Sequence, residues 1–241
     1  MTIKIKSLTK RYKERVAVNQ LTLDIQQGEI FALLGQNAAG KTTTIKMLCG
    51  LLKPSEGDAI FDSGTIVQNQ KAVKQIINIS PQETAVAPNL TVHENLLFIG
   101  QIYGYTKDHA RHHAQEQMEL FGLSSRQHNK AKTLSGGYQR RLSVAMAMMT
   151  NPKVLFLDEP TLGMDVRSRN DLWNILMQLK GKVTIIVTSH YLQEIEVLAD
   201  RVGIMHRGQL CALGTIQQLM METGKKSLED AFLVMTEGEL L

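Results

Sequence analysis

One string of residues constrains this chain more than any other. Gly35-Gln36-Asn37-Ala38-Ala39-Gly40-Lys41-Thr42 matches the pattern G-x-x-x-x-G-K-[ST]. Glycines in such a loop let backbone N–H groups wrap a phosphate at close range. Lys41 supplies a point charge for β- and γ-phosphates, and the Thr42 hydroxyl is a ligand for Mg²⁺. A glycine-rich turn can match the pattern by chance, but the context here is the one the chemistry requires. Ile30–Leu34 reads as a short buried strand running into Gly35. Lys41–Leu51 reads as a helix closed by Gly50 and Pro54, with its positive end facing the loop.

A second site lies downstream, in Val154-Leu155-Phe156-Leu157-Asp158-Glu159. A buried apolar strand delivers its acids at its C-terminal end, where ligands sit in open α/β sheets. Asp158 is placed to hold Mg²⁺ from the side opposite Thr42, and Glu159 to accept a proton from water. Val183–Thr188 is another β-rich run, and the helical pattern Asp165–Leu179 lies between the two. That order makes a βαβ unit and a parallel sheet. Ile3–Lys6 and Leu21–Ile25 alternate as strands, with a turn at Gln27–Gly28. Val92–Tyr103, His109–Phe121 and Gly137–Met149 look helical, so residues 83–140 read as a helical insertion. Ile216–Met221 and Leu228–Val234 read as short helices in the tail.

Composition narrows the class. The chain has 241 residues, 43% hydrophobic and 21% charged, which is globular and neither disordered nor coiled-coil. A net charge of +4 makes no case for nucleic acid. Two cysteines, Cys49 and Cys211, exclude a disulfide scaffold or a multi-cysteine zinc site and suit a reducing compartment. No run reaches the ~18–20 apolar residues of a membrane helix, and the charged N-terminus lacks the apolar stretch of a signal peptide. The chain is therefore expected neither to be secreted nor to span a membrane.

Leu134-Ser135-Gly136-Gly137-Tyr138-Gln139-Arg140-Arg141 stands between the phosphate loop and the acid pair, and it resembles the signature motif of the ATP-binding cassette (ABC) ATPases. Four further marks follow that family's order. Tyr12 resembles the aromatic that stacks on adenine, and Gln82 in Ser80-Pro81-Gln82 resembles the glutamine loop. Leu162-Gly163-Met164-Asp165 is similar to the loop that crosses the dimer interface, and His190 is similar to the switch histidine. Asn89–Leu96 resembles the segment facing the membrane partner in exporters, and Ser227–Leu233 the C-terminal segment of exporter ATPases. Ala38, where the family often has Gly, Tyr138 and Met164 depart from the usual pattern without removing a catalytic group.

The resemblance implies a P-loop NTPase parallel-sheet core with an antiparallel N-terminal β-subdomain and an inserted helical subdomain. The core would span residues 1–82 and 141–215, the helical signature subdomain 83–140, and a helical tail 216–241. It implies an ATPase with ATP and Mg²⁺ as cofactors. Nucleotide would be held by Tyr12, Gly35, Gln36, Asn37, Ala38, Ala39, Gly40, Lys41, Thr42 and Thr43, and by Ser135, Gly136 and Gly137. Catalysis would fall to Glu159, His190, Lys41 and Gln82, and the metal to Thr42, Gln82 and Asp158. The implied partners are a second cassette, arranged head-to-tail so that each signature closes over the other's ATP, and a separate membrane permease. They place the chain at the cytoplasmic face of the membrane, powering export. The alternative is a non-transport ABC ATPase acting on ribosomes or DNA, against which stand the single cassette and the lack of a coiled-coil arm.

Other features have plainer expectations. His109, His112 and His113 read as a solvated helix face, and Met146, Met148 and Met149 as core filling. Cys49 is expected to be buried. Leu96, Leu97, Phe98, Ile99, Ile102 and Tyr103 exceed the ~100° stripe that one helix face buries, which suggests a groove for a partner helix.

Overall fold

The computed structural model describes residues 2–237. Its strands divide into two sheets. The first holds β1 (Ile3–Tyr12) and β2 (Arg15–Ile25), followed in sequence by β3 (Ile30–Gly35) and helix α1 (Lys41–Leu48), which belong to the core. The chain then returns to the first sheet with β4 (Glu56–Phe61) and β5 (Gly64–Thr65), giving the antiparallel order β2-β1-β4-β5. A short α2 (Gln70–Lys74) leads to β6 (Ile77–Ser80). Helices α3 (Val92–Ile102), α4 (Lys107–Leu120) and α5 (Gly136–Met148) come next. The core resumes with β7 (Val154–Asp158), α6 (Val166–Leu179), β8 (Thr184–Ser189), α7 (Leu192–Leu198), β9 (Arg201–His206) and β10 (Gln209–Gly214). Helices α8 (Ile216–Thr223) and α9 (Leu228–Glu237) close the described chain. Positions 238–241 of the expected tail lie outside the described residues.

The second sheet has the order β10-β9-β3-β8-β7-β6, with β9, β3, β8, β7 and β6 parallel and β10 antiparallel at one edge. Its central strands β3, β7 and β8 are buried at every position and mostly apolar, because both faces are covered. Ile30, Ala32 and Leu34, with Leu155, Leu157, Ile185 and Val187, face the helical core that includes α5 and α6. Phe31, Leu33, Val154, Phe156 and Ile186 face the antiparallel sheet and α1. Burying a side chain such as Phe156, fully inaccessible here, is worth roughly 1.5–3 kcal/mol. A slip of one residue in β7 would exchange its two faces between two different cores, so the register is fixed.

The α/β architecture agrees with expectation, and the differences are local. β1 runs well past Lys6, because Ser7 takes a left-handed φ of 45° at a register shift between Ile5 and Leu8 that breaks the alternation. α1 stops at Leu48 rather than Leu51. Gly50 turns left-handed (φ 63°), and the N–H groups of Leu51 and Leu52 both reach back to the Lys46 carbonyl. Helix α5 is continuous through position 140, where the core was expected to resume, and Ser143 Oγ lies 3.0 Å from Ser80 Oγ at the end of β6. Met146, Met148, Met149 and Cys49 are buried.

The histidine face needs one correction: His109 and His112 are exposed as expected, but His113 is buried. His113 is only 9% exposed and packs in a ring cluster with His109 (4.5 Å between centroids) and Tyr105 (5.5 Å). The i+4 member of the pair, His113, is covered by His109 and by Tyr105 of the turn before the helix. Burial pushes the His113 pKa below its ordinary value. Glu116 opposes this, while His109 and His112 add to it. A histidine whose folded pKa is depressed is stable neutral, so its contribution is lost as pH falls through the ordinary value near 6.5 toward the lower folded value. We expect His113→Gln to show a smaller loss of Tm between pH 7.5 and pH 5.5 than the parent chain in thermal melts. An equal or larger loss would contradict the assignment.

Candidate active site

The C-terminal ends of β3, β7 and β8, with the segment just after β6, converge on one side of the sheet. Parallel pairing sets their relative heights: Leu34 lies beside Ser189, Asp158 beside Thr188 and Ser80 beside Leu157. A cleft of about 620 Å³ opens there, lined by Tyr12, Asn37–Thr43, Gln82, Glu159 and His190, among others.

The phosphate loop carries backbone strain. Ala38 has φ 64° and Gly40 φ 106°. A non-glycine residue in the left-handed region costs about 1–2 kcal/mol, so the alanine at 38 stands where glycine would be free of strain. Gly35 is required for a different reason, since a Cβ there would come within 2.4 Å of the Met205 carbonyl oxygen on β9. Gly35 and Gln36 stand behind the loop rather than on the cleft wall, yet their carbonyls accept from Lys41 Nζ at 2.7 and 3.2 Å. Lys41 is also 3.5 Å from Glu159 Oε1. The first N–H groups of α1 have no carbonyl behind them in the helix, and they face the cleft together with the positive end of the helix dipole.

The acid pair divides its tasks. Asp158 Oδ1 accepts from Thr42 Oγ1 (3.1 Å) and Thr188 Oγ1 (2.6 Å). A Thr–Asp oxygen separation of that size suits two oxygens that ligate one ion together, since neighbouring ligands at ~2.1 Å in an octahedron lie about 3.0 Å apart. These hard oxygen donors fit a Mg²⁺ that takes its other ligands from water and phosphate. No group of three or more His, Cys, Asp or Glu side chains able to hold a metal occurs among the described residues. Glu159 is buried at a backbone bend with φ 48°, and its Oε2 lies 2.7 Å from His190 Nδ1. His190 is therefore aimed by Glu159, or aims it, through one direct contact.

The signature segment lies elsewhere. Ser135 is the N-cap of α5, and Ser135 and Gly136 are exposed and outside the cleft wall. A Cβ on Gly136 would meet nothing within 4 Å, whereas one on Gly137 would meet Ser168 Oγ at 2.5 Å. Gly137 thus has a packing reason as well as the expected ligand role. The loop before α6 ends at Asp165, whose carboxylate caps Ser168 N at 3.0 Å, so this loop and the start of α5 share one neighbour.

Several residues at the site were not anticipated. Arg15 lines the cleft, opposite Tyr12 across the β1–β2 turn. Thr188 bonds both Asp158 and the Glu159 N–H. Its signal was a polar residue ending an apolar run, just before Ser189-His190. Glu194 bonds Ser189 Oγ (2.7 Å) and Thr161 Oγ1, and burial raises its pKa. Arg140 is 4% exposed and donates to backbone carbonyls at both strand ends, which no local pattern could announce.

A phosphate loop on a parallel sheet, with acids at the neighbouring strand end, defines a nucleotide-hydrolysing cassette. The model of the family described as ABC transporter matches residues 18–162, and the chain belongs to that family, whose cassettes bind and hydrolyse ATP. It is 39% identical over 241 residues to the linearmycin resistance ATP-binding protein LnrL of Bacillus subtilis (strain 168), covering 96% of this chain and 78% of that one. It is 38% identical over 227 residues to the daunorubicin/doxorubicin resistance ATP-binding protein DrrA of Streptomyces peucetius, covering 94% and 69%. It is also 38% identical over 226 residues to the phospholipid-transporting ATPase ABCA3 of Homo sapiens, covering 92% of this chain but only 13% of that one. A solved dimer of the bacterial ABC transporter cassette MJ0796 superposes with a TM-score of 0.79 at 25% identity, covering 88% of this chain and 98% of that one. No helix among the described residues is long and apolar enough to cross a membrane.

Proposed function

We propose that this chain is the ATP-hydrolysing subunit of an exporter-type ABC transporter, held at the cytoplasmic face of a membrane by a separate permease. The observation that carries the reading is the convergence of Lys41, Thr42, Gln82, Glu159 and His190 on one cleft, with Tyr12 on its wall. In this reading the adenine stacks on Tyr12, and the loop from Gly35 to Thr43 wraps the phosphates. Lys41 exchanges its carbonyl partners for β- and γ-phosphate oxygens. Thr42, Asp158 and Gln82 would hold Mg²⁺, which would neutralise phosphate charge. Glu159 accepts a proton from the attacking water, and His190 fixes the carboxylate that does so.

The exposed start of α5 is a second set of N–H groups aimed away from its own cleft, and it suits the ATP of a second cassette, either a copy or a related chain. The family is described as ABC transporter and ABCA3 is named as a phospholipid-transporting ATPase, which favours transport over work on ribosomes or DNA. The longest helices described, α4 and α6, have 14 residues each and make no coiled-coil arm. For the permease we assign α3, where Phe98, Ile102 and Tyr103 are half exposed or more. Ile99 and Tyr103 border a groove that also takes in Pro81, next to Gln82. A helix laid there would press on the segment that carries Gln82.

Three outcomes follow. Glu159→Gln should keep ATP binding and lose ~10²–10⁴-fold in turnover, and in size exclusion with ATP it should run at doubled mass. Near-normal hydrolysis would falsify the base assignment. Lys41→Ala and Ser135→Arg should each be inactive alone, while their mixture regains part of the activity or traps nucleotide, because one of the two mixed sites is intact. No activity and no trapping in the mixture would sink the split site. Ile102→Glu or Tyr103→Glu should leave ATP binding by the isolated chain unchanged and reduce co-purification with the permease. An unfolded variant, or unaltered co-purification, would place the docking surface elsewhere.

A further inference from the structure

Arg140 sits on the first turns of α5, buried, and the described residues give it no carboxylate within salt-bridge distance. Its guanidinium is instead ringed by carbonyls. Nε donates to Pro160 O at 2.7 Å, Nη1 to Pro81 O at 2.5 Å, and Nη2 to Glu159 O at 2.8 Å and Asp158 O at 3.3 Å. Three successive carbonyls, 158 to 160, facing one cation is not strand geometry, in which carbonyls alternate in direction. The bend that turns them is Glu159 at φ 48°. That conformation is doubly disfavoured locally: the residue is not glycine, and it precedes Pro160, which drives its predecessor toward extended backbone. Something outside the segment must hold it. Two restraints do so: the N–H of Glu159, bonded to Thr188 O (3.2 Å) and Oγ1 (3.0 Å), and the carbonyl of Glu159, bonded to Arg140.

We propose that Arg140 is a positioning residue for hydrolysis: it clamps the bend that aims the Glu159 carboxylate at His190, and ties that bend and the Pro81–Gln82 segment to the seating of the signature helix. The proposal rests on Glu159 being the base. A rotation of α5 that breaks the clamp releases the bend, and a rotation that keeps it carries Pro81 and Glu159 along. Lysine cannot substitute, since its three donors radiate from one atom and cannot span carbonyls that the planar fork of arginine reaches together. Misplacing a reacting group by about 1 Å costs ~10²-fold in rate.

The test uses the full chain with Arg140→Lys and Arg140→Gly, each checked by thermal melt. Arg140→Lys should bind ATP as the parent does, with kcat down about 10–100-fold and KM little changed. Millimolar methylguanidinium should restore part of kcat to Arg140→Gly. In single-turnover assays, adding Arg140→Lys to Glu159→Gln should cost little more than Glu159→Gln alone, because both remove the same contribution. A parental kcat in Arg140→Lys, a parallel loss of ATP affinity, multiplicative losses in the double variant, or failure of Arg140→Lys to fold would each overturn the proposal. Near-normal hydrolysis by Glu159→Gln marks a failure of the base assignment itself and takes this proposal with it. A parental Arg140→Lys beside an inactive Glu159→Gln overturns the clamp alone.

Discussion

Everything at the cleft depends on four parallel strands whose ends climb by one residue from each strand to the next. β6, β7, β8 and β3 lie side by side, ~4.8 Å apart, and their registers place Ser80, Asp158, Ser189 and Gly35 along one rim. Because β3, β7 and β8 are buried on both faces, none of the three can slide without driving apolar side chains into the wrong core. The hydrogen-bond ladder is therefore the ruler that spaces phosphate loop, acid pair and histidine. The loops that follow the strands supply chemistry but set no distances of their own.

Around that rim the charges are satisfied from within the chain. Lys41 rests on the carbonyls of its own loop and on Glu159, and Glu159 in turn rests on His190. A buried ion pair of this kind adds little net stability, since desolvation offsets most of the attraction. Its effect is to keep three side chains ordered at the place where a polyanion enters, so the incoming phosphates replace partners and need not recruit loose side chains. The left-handed backbone at Ala38 and Glu159 belongs with this arrangement, for strain persists only where the surroundings over-determine it.

What could be read in advance was whatever is written locally. The phosphate loop, the acid pair and the βαβ unit each occupy a short window with its own spacing, and the structure places these segments on the elements expected of them. The remainder needed contacts between distant segments. The β9–β10 hairpin and α7 leave only weak traces in the sequence, though Arg201–His206 is mostly buried and Gly208 marks the turn, because their patterns are short and adjoin stronger ones. His113 reads as surface from its spacing, and only the fold of the turn at Tyr105 buries it. Gly137 reads as part of an anion site, but the nearness of Ser168 on α6 is invisible along the chain. Arg140 has no task legible in the sequence, since its partners are backbone oxygens whose residue types say nothing about them.

The exposed N-terminus of α5 sets a rate law. In the proposed arrangement a cassette alone carries two halves of different sites, so hydrolysis by dilute chains rises with the square of their concentration until pairing saturates. A permease that holds two cassettes removes that dependence, because tethering presents each to the other at an effective concentration that reaches the millimolar range for short flexible links. Docking at the α3 surface would then do more than relay motion. It would convert a collision between subunits into an event within one assembly, so that the fuel is consumed chiefly where there is a channel to drive.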